Sequence, residues 1–155
     1  MTRTQLILLA AGGSAALLIG AWTFQYFGYA PCQMCIWQRY PHGVAVVLGV
    51  IAILVPLAIL PWLGAVAAFV TGAIGVFHTG AEKGWWEGIT SCAGAGNITE
   101  FKVGDLLNPN VQVGPPLVKC DEVAFEFLTL SMASWNALIS FALVAVWIMA
   151  ARTAR

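Results

Sequence analysis

The sequence has few charged side chains, and they are unevenly placed. Charged residues make up 9% of the 155 residues, against about 25% in soluble domains, and 60% of the residues are apolar. No Asp, Glu, Lys or Arg occurs from Thr4 to Gln38, from Tyr40 to Ala81 or from Phe127 to Ala151. This composition argues against a water-soluble globule, and each uncharged stretch can hold at least one membrane span.

The chain also has no run of basic residues, and its formal net charge is zero. It therefore has no electrostatic footprint for DNA or RNA, and we expect no nucleic-acid partner. The uncharged stretches contain no acidic residue of the kind that relays protons or binds cations in transporters, which argues against a transporter.

A span needs about 20 apolar residues to cross the hydrocarbon of a lipid bilayer. On this basis we predict an all-α fold, a four-helix transmembrane bundle with spans at about residues 5–28, 43–60, 62–80 and 132–151. Pro56 and Pro61 divide the long central stretch, and we place its turn near Leu60 to Trp62. A short outer loop (29–42) and a long, irregular outer loop (81–131) complete a single membrane domain. A cleaved signal peptide is the competing interpretation of the N-terminus, but the apolar run continues past Trp22.

The positions of Lys and Arg predict the orientation. Arg3 precedes the first span, while Arg152 and Arg155 follow the fourth, so both termini are expected in the cytoplasm. The segment from Glu82 to Ser131 holds all seven acidic residues but only three lysines, a formal charge of −4, and is expected on the opposite side. Trp147 then falls toward the inner interface, where aromatic belts occur.

All four cysteines lie in the two predicted outer loops. Cys32 and Cys35 are in the short loop, and Cys92 and Cys120 are in the long one. Cysteine is often buried as a small apolar residue, so this distribution on one side of a membrane is informative. An oxidising compartment would allow two disulfides.

The spacing of Cys32 and Cys35 has several possible meanings. A c-type haem would require His directly after Cys35, where Ile36 stands. A four-cysteine zinc site pairs two closely spaced motifs, whereas Cys92 and Cys120 are far apart, so we predict no metal site. Two intervening residues suit a reactive disulfide, in which one sulfur is attacked and the other leaves as a thiolate. On spacing alone, a purely structural pair of disulfides remains open.

Three motifs extend this pattern along nearly the whole chain. They are PCQMCIWQR at residues 31–39, HTGAE at 78–82 followed by TSC at 90–92, and KCDE at 119–122. Together with the number of spans and the order of the cysteines, they resemble the disulfide bond formation protein B (DsbB) family. The residues inside the CxxC and the spacing around the later cysteines differ in detail from the best-known members.

The resemblance implies a bacterial inner-membrane oxidoreductase. Such a protein would accept electrons from a DsbA-like periplasmic thiol oxidase and pass them to a membrane quinone, ubiquinone or menaquinone. Carried over by position, Cys92 is attacked by the partner's thiolate, and Cys120 is released. Cys120 then attacks Cys32, and Cys35 is freed to donate electrons to the quinone. A loop rich in Gly and Pro suits cysteines that must meet different partners in turn.

Arg39 and His78 are the further candidates for the quinone site. Arg39 follows Cys35 by four residues, so one helical turn places both on one face, where a cation favours a thiolate and can bind a quinone carbonyl. The alternative is an arginine that extends to the membrane interface. For His78 the resemblance implies a place beside the quinone, and a purely structural role is the alternative. The resemblance gives Glu82 no definite role, and we expect His42 to be an interface residue.

Two other functions compete with this interpretation. A vitamin K epoxide reductase-like protein also combines a helical bundle with CxxC and a loop cysteine pair, but there the active CxxC comes after the loop pair. A membrane scaffold whose outer loop is merely held by disulfides would perform no catalysis. Counting thiols before and after adding quinone would separate a relay from a scaffold.

Overall fold

The structure, a computed structural model, describes residues 1–88, 120 and 123–153. Within these residues the elements in chain order are α1 (Arg3–Tyr26), α2 (Gln33–Leu54), α3 (Ile59–Glu82), β1 (Glu126–Phe127), β2 (Leu130–Ser131) and α4 (Met132–Arg152). All four helices are long and apolar enough to cross a membrane. The predicted four-helix bundle is confirmed.

The second helix begins ten residues earlier than the sequence suggested, so residues 33–42 are helical and do not belong to a loop. Cys32 is the N-cap of α2, and its Sγ accepts a hydrogen bond of 3.2 Å from the backbone N–H of Cys35. Pro41 lies inside α2 and removes one backbone donor without ending the helix. The early start places Cys35 and Arg39 on a helix, which orients both side chains.

The turn between the second and third helices also differs from the prediction. Helix α2 ends at Leu54 and α3 begins at Ile59, so the turn precedes Leu60. Pro56 lies in this turn, whereas Pro61 lies in the first turn of α3. A proline is tolerated there because the first N–H groups of a helix have no partner within it.

Helix α3 packs mainly against α4 and α2, and α1 packs against α2 and α4. Small residues permit these close approaches, as is usual between membrane helices. A Cβ added to Gly64 would lie 2.7 Å from ring atoms of Trp147, and one added to Gly49 would clash with the Ala11 Cβ. The expectation that Trp147 belongs to an interfacial belt is wrong. Its side chain is fully buried in the bundle, because these glycines leave space for the ring.

A short antiparallel hairpin leads into the fourth helix. Its two strands pair Glu126 with Ser131 and Phe127 with Leu130. The connecting residues are Leu128 and Thr129, with φ of 52° and 64°. Ser131 then caps α4 by accepting a hydrogen bond from the backbone of Ser134 at 3.2 Å. The hairpin therefore fixes where α4 begins.

Candidate functional site

The site is built around the cysteine pair at the start of α2. The Sγ atoms of Cys32 and Cys35 are 3.0 Å apart, with Cys32 as the donor and Cys35 as the acceptor. Both residues carry free thiols, and Cys32 is buried while Cys35 is half-buried. This is the geometry of a hydrogen-bonded dithiol.

The electrostatics of the pair separate the two sulfurs. The hydrogen bond to Cys35, together with burial, raises the pKa of the Cys32 thiol. Cys32 therefore stays protonated, and its S–H group donates a hydrogen bond to the Cys35 sulfur. Cys35 lies in the first turn of α2, where the positive end of the helix dipole favours a thiolate.

A third cysteine packs against this pair. Cys120 is 1% exposed and belongs to the same buried cluster as Cys32, Met34 and Ala81. The backbone of Cys120 also lies close to the ring of His78. The structure therefore brings together three of the four cysteines that we predicted to be site residues. The fourth, Cys92, lies outside the described residues.

His78, on α3, lies between the cysteine pair and an acidic side chain. Its Nε2 is 3.5 Å from the Sγ of Cys32 and 3.7 Å from Oε1 of Glu82. Oε2 of Glu82 accepts a hydrogen bond from the hydroxyl of Ser131, the cap of α4. The side chain of His78 is buried, so these neighbours take the place of bulk water around it.

A chain of buried hydrogen bonds extends from His78 to His42. Nε2 of Gln38 is 3.0 Å from Nδ1 of His78, and Oε1 of Gln38 accepts from Nδ2 of Asn136 at 2.7 Å. Oδ1 of Asn136 is 2.9 Å from Nε2 of His42. Thr71 joins this chain through its hydroxyl, which donates to the carbonyl of Gln38 at 3.0 Å. The expectation that His42 is an interface residue is wrong, because α4 covers it and Asn136 binds it.

An apolar cavity of about 620 Å³ lies beside the cysteine pair. Cys35, Arg39, His42 and His78 all line it, so the shared face inferred for Cys35 and Arg39 is present. The guanidinium of Arg39 donates to Oε1 of Gln25 on α1 at 2.7 Å. The cavity thus combines an apolar wall with a few polar groups near one sulfur, as small-molecule sites do.

The pair and His78 also contain atoms that bind metals. One ligand atom each from Cys32, Cys35 and His78 lie within 4.8 Å of one another. Zinc would need a lone pair on Nε2 of His78, and hence a proton on Nδ1. Nδ1 instead faces a donor, the amide nitrogen of Gln38, at 3.0 Å. The hydrogen bonding therefore favours a histidine that donates from Nε2 over one that binds a metal.

A family model described as disulfide bond formation protein DsbB matches residues 3–150. The chain belongs to the DsbB family. It is therefore a multi-pass membrane protein of disulfide bond formation, with the activity of a disulfide oxidoreductase. Comparison with curated protein sequences and with solved structures gives no match.

Sequence reasoning missed three residues of this DsbB-family site, namely Gln38, Thr71 and Asn136. Each is a polar residue within a helix that is apolar enough to span a membrane. That position is itself a signal, because polar groups in membrane helices usually face the bundle interior and bind one another. The signal marks them as buried, but it does not show which residues they bind.

Proposed function

We propose that the protein reoxidises a DsbA-like periplasmic thiol oxidase and passes the electrons to a membrane quinone, ubiquinone or menaquinone. One observation carries this proposal: the two cysteines of the pair have different surroundings. Cys32 and Cys120 belong to one buried cluster, whereas Cys35 packs against that cluster and also lines the apolar cavity, which Cys32 does not line. A relay between a protein thiol and a lipid-soluble oxidant needs this division.

On the thiol side, the order of exchange follows the family. The partner's thiolate attacks Cys92, forming a mixed disulfide and releasing Cys120. The thiolate of Cys120 then attacks the sulfur of Cys32, which breaks the bond between Cys32 and Cys35 and leaves the electron pair on Cys35. The presence of Cys120 and Cys32 in one buried cluster supports this step, because the attacking sulfur needs to be near the sulfur of Cys32.

On the cavity side, the chain's own residues prepare Cys35 to donate. The start of α2 and the hydrogen bond from Cys32 favour its thiolate. Arg39 is one turn further along, where its guanidinium provides a positive charge and hydrogen-bond donors. A quinone bound there would accept two electrons and two protons. The apolar wall suits a lipid-soluble ring, and His78 holds a proton at Nε2 near Cys32.

The same proposal includes the location. We place the protein in the bacterial inner membrane, with both termini cytoplasmic and the cysteines at the periplasmic side. Three arginines support this orientation: Arg3 begins α1, Arg152 ends α4, and Arg155 follows it in the sequence. The acidic excess of the segment between α3 and α4 supports it as well.

A turnover assay tests the proposal. The detergent-solubilised protein is incubated anaerobically with a reduced DsbA-like protein, with and without a short-chain quinone. We expect oxidation of the partner only when the quinone is present, because Cys35 then has an electron acceptor. Cys35→Ala is the control and should abolish turnover. Equal turnover without quinone under strict anaerobiosis would contradict the proposal, and no turnover at all would favour the disulfide-held scaffold.

A further inference from the structure

The buried chain between the two histidines has a fixed direction, and Gln38 determines one end of it. Nε2 of Gln38 is 3.2 Å from the backbone carbonyl oxygen of Met34. A carbonyl oxygen can only accept, so the amide nitrogen stays on that side. The same nitrogen then donates to Nδ1 of His78 at 3.0 Å. His78 therefore carries its proton on Nε2.

Asn136 is oriented in the same way. Its Nδ2 is 2.7 Å from Oε1 of Gln38 and 3.3 Å from the hydroxyl oxygen of Thr71. Both oxygens accept here, because the hydroxyl hydrogen of Thr71 is donated to the Gln38 carbonyl. Oδ1 of Asn136 therefore faces His42, whose Nε2 must donate to it across 2.9 Å. A neutral His42 is left with a lone pair on Nδ1.

This lone pair has no partner in the part of the chain that the structure describes. His42 is only 2% exposed, so bulk water does not satisfy it. An unsatisfied buried acceptor is costly, and a bound donor would remove that cost. His42 lines the apolar cavity, so a molecule bound there can supply the donor once the packing around Nδ1, which has almost no accessible surface in this structure, shifts to admit it.

The position of His42 along α2 shows which part of such a molecule it meets. Cys35, Arg39 and His42 are spaced by four and three residues, so they share one face of the helix. His42 is about 10 Å further along the helix axis than Cys35. The cavity therefore has a group that only donates, Arg39, and a group that accepts, His42, on the same face.

We propose that Nδ1 of His42 accepts a hydrogen bond from a hydroxyl of the reduced ring, so that the cavity makes one contact with hydroquinone that it does not make with quinone. This inference rests on the proposed quinone-linked function. The two oxygens of a quinone only accept hydrogen bonds, whereas the hydroxyls of a hydroquinone also donate. His42 is thus a positioning residue that favours the product form of the ring.

The variant His42→Gln separates this role from the structural one. A glutamine amide nitrogen can occupy the place of Nε2 and still donate to Asn136, but glutamine has no acceptor in the place of Nδ1. We expect the Kd for a short-chain hydroquinone to rise about three- to tenfold, the range for one hydrogen bond. The Kd for the matching benzoquinone should change less than twofold. Calorimetric titration of the oxidised, detergent-solubilised protein under nitrogen measures both.

Ser140→Ala is the matched control. Its hydroxyl is another buried atom without a hydrogen-bond partner among the described residues, but Ser140 does not line the cavity. Both dissociation constants should stay unchanged in this variant. Equal weakening of both ligands in His42→Gln, or no change in either, overturns the inference. If the unaltered protein binds neither ligand, the proposed quinone function itself is wrong.

A second measurement does not depend on the folding of a variant. Nitrogen-15 NMR of the unaltered protein, with labelled histidine, reports which ring nitrogen of each histidine carries the proton. We expect protons on Nε2 of both His42 and His78, and a shift of the His42 Nδ1 signal when hydroquinone is added. A proton on Nδ1 of His42, or no response to hydroquinone, overturns the inference.

Discussion

At the scale of single residues, Arg39 connects the first helix to the cavity. Its Nη1 donates to Oε1 of Gln25 at 2.7 Å, and its Nη2 donates to the carbonyl of Ala21 at 3.5 Å. Its Nε is buried and has no partner among the residues described. An arginine that merely extends to the membrane interface would not need these contacts with α1. The side chain is therefore held in place beside Cys35.

Replacing Arg39 tests its proposed role. Arg39→Gln should raise the KM for quinone about tenfold or more, because a charge-assisted hydrogen bond is lost. Arg39→Lys should have a smaller effect, since it keeps a charge but loses the planar fork. Quinone kinetics and the rate of thiol exchange at Cys92 are measured on the same preparation, and the exchange rate is the internal control. Normal quinone kinetics in well-folded Arg39→Gln would show that the side chain serves only the fold.

Cys120 allows a test of the order of the relay. Cys120→Ala, incubated with the oxidised soluble partner, should accumulate a mixed disulfide, because the Cys92 thiolate attacks the partner's disulfide, one partner sulfur leaves as a thiolate, and no Cys120 thiol is left to displace the partner. Alanine fits the buried position next to Cys32, so the bundle should remain folded. Non-reducing gel electrophoresis followed by mass spectrometry identifies the linked cysteine. If Cys92→Ala trapped the complex and Cys120→Ala did not, the two roles would be reversed.

At the scale of elements, the hairpin before α4 contains a strained turn. Leu128 and Thr129 both have positive φ, which is the geometry of the tight hairpin turns that favour Asn followed by Gly. The double variant Leu128→Asn, Thr129→Gly should therefore raise the free energy of unfolding by about 1 kcal/mol. Unfolding of the detergent-solubilised protein, followed by circular dichroism, gives this value.

Gly28 provides the reciprocal control for backbone strain. Its φ is 97°, and nothing lies within 4 Å of an added Cβ. Gly28→Ala should therefore lower stability by about 1 kcal/mol through backbone conformation alone. If the hairpin variant and Gly28→Ala shifted stability in the same direction, positive φ would not be the cause.

The start of α2 shows what local sequence patterns miss. Residues 29–42 contain two prolines, two cysteines and Arg39, which is the only charged residue between Arg3 and Glu82. Together these residues favour a loop. The helix begins at Gln33 because the Cys32 sulfur acts as its N-cap, a role usually taken by Ser, Thr, Asp or Asn. The length of the uncharged, apolar stretch correctly predicted that this helix exists, but not where it begins.

At the scale of the whole molecule, close contacts at glycine determine how the helices pack. Gly64→Ala would place a Cβ against the ring of Trp147 and should cost about 1–3 kcal/mol. Gly12→Ala is the control, because nothing lies within 4 Å of its added Cβ and alanine favours helix by up to about 1 kcal/mol. Thermal unfolding in one detergent compares the two. Equal effects of both substitutions would show that the contact with Trp147 is not tight.

The site was only partly predictable from sequence for a physical reason. Cys32, Cys35 and Arg39 fall within a short segment, so local spacing brings them together. Gln38 and Asn136 are 98 positions apart in the chain. Their hydrogen bond exists only because the packing of α2 against α4 brings the two side chains together. Polarity in an apolar helix predicts burial, but pairing depends on how the whole bundle assembles.

One bond described above also affects the driving force of the relay. The backbone N–H of Cys35 donates to the Cys32 sulfur in the dithiol, and a disulfide sulfur is a weaker acceptor. If this cap favours the dithiol by about 1 kcal/mol, the reduction potential of the pair rises by about 20 mV. The N-cap hydrogen bond of α2 would then make the pair a stronger oxidant. The same bond would thus affect both the folding of α2 and the driving force of electron transfer.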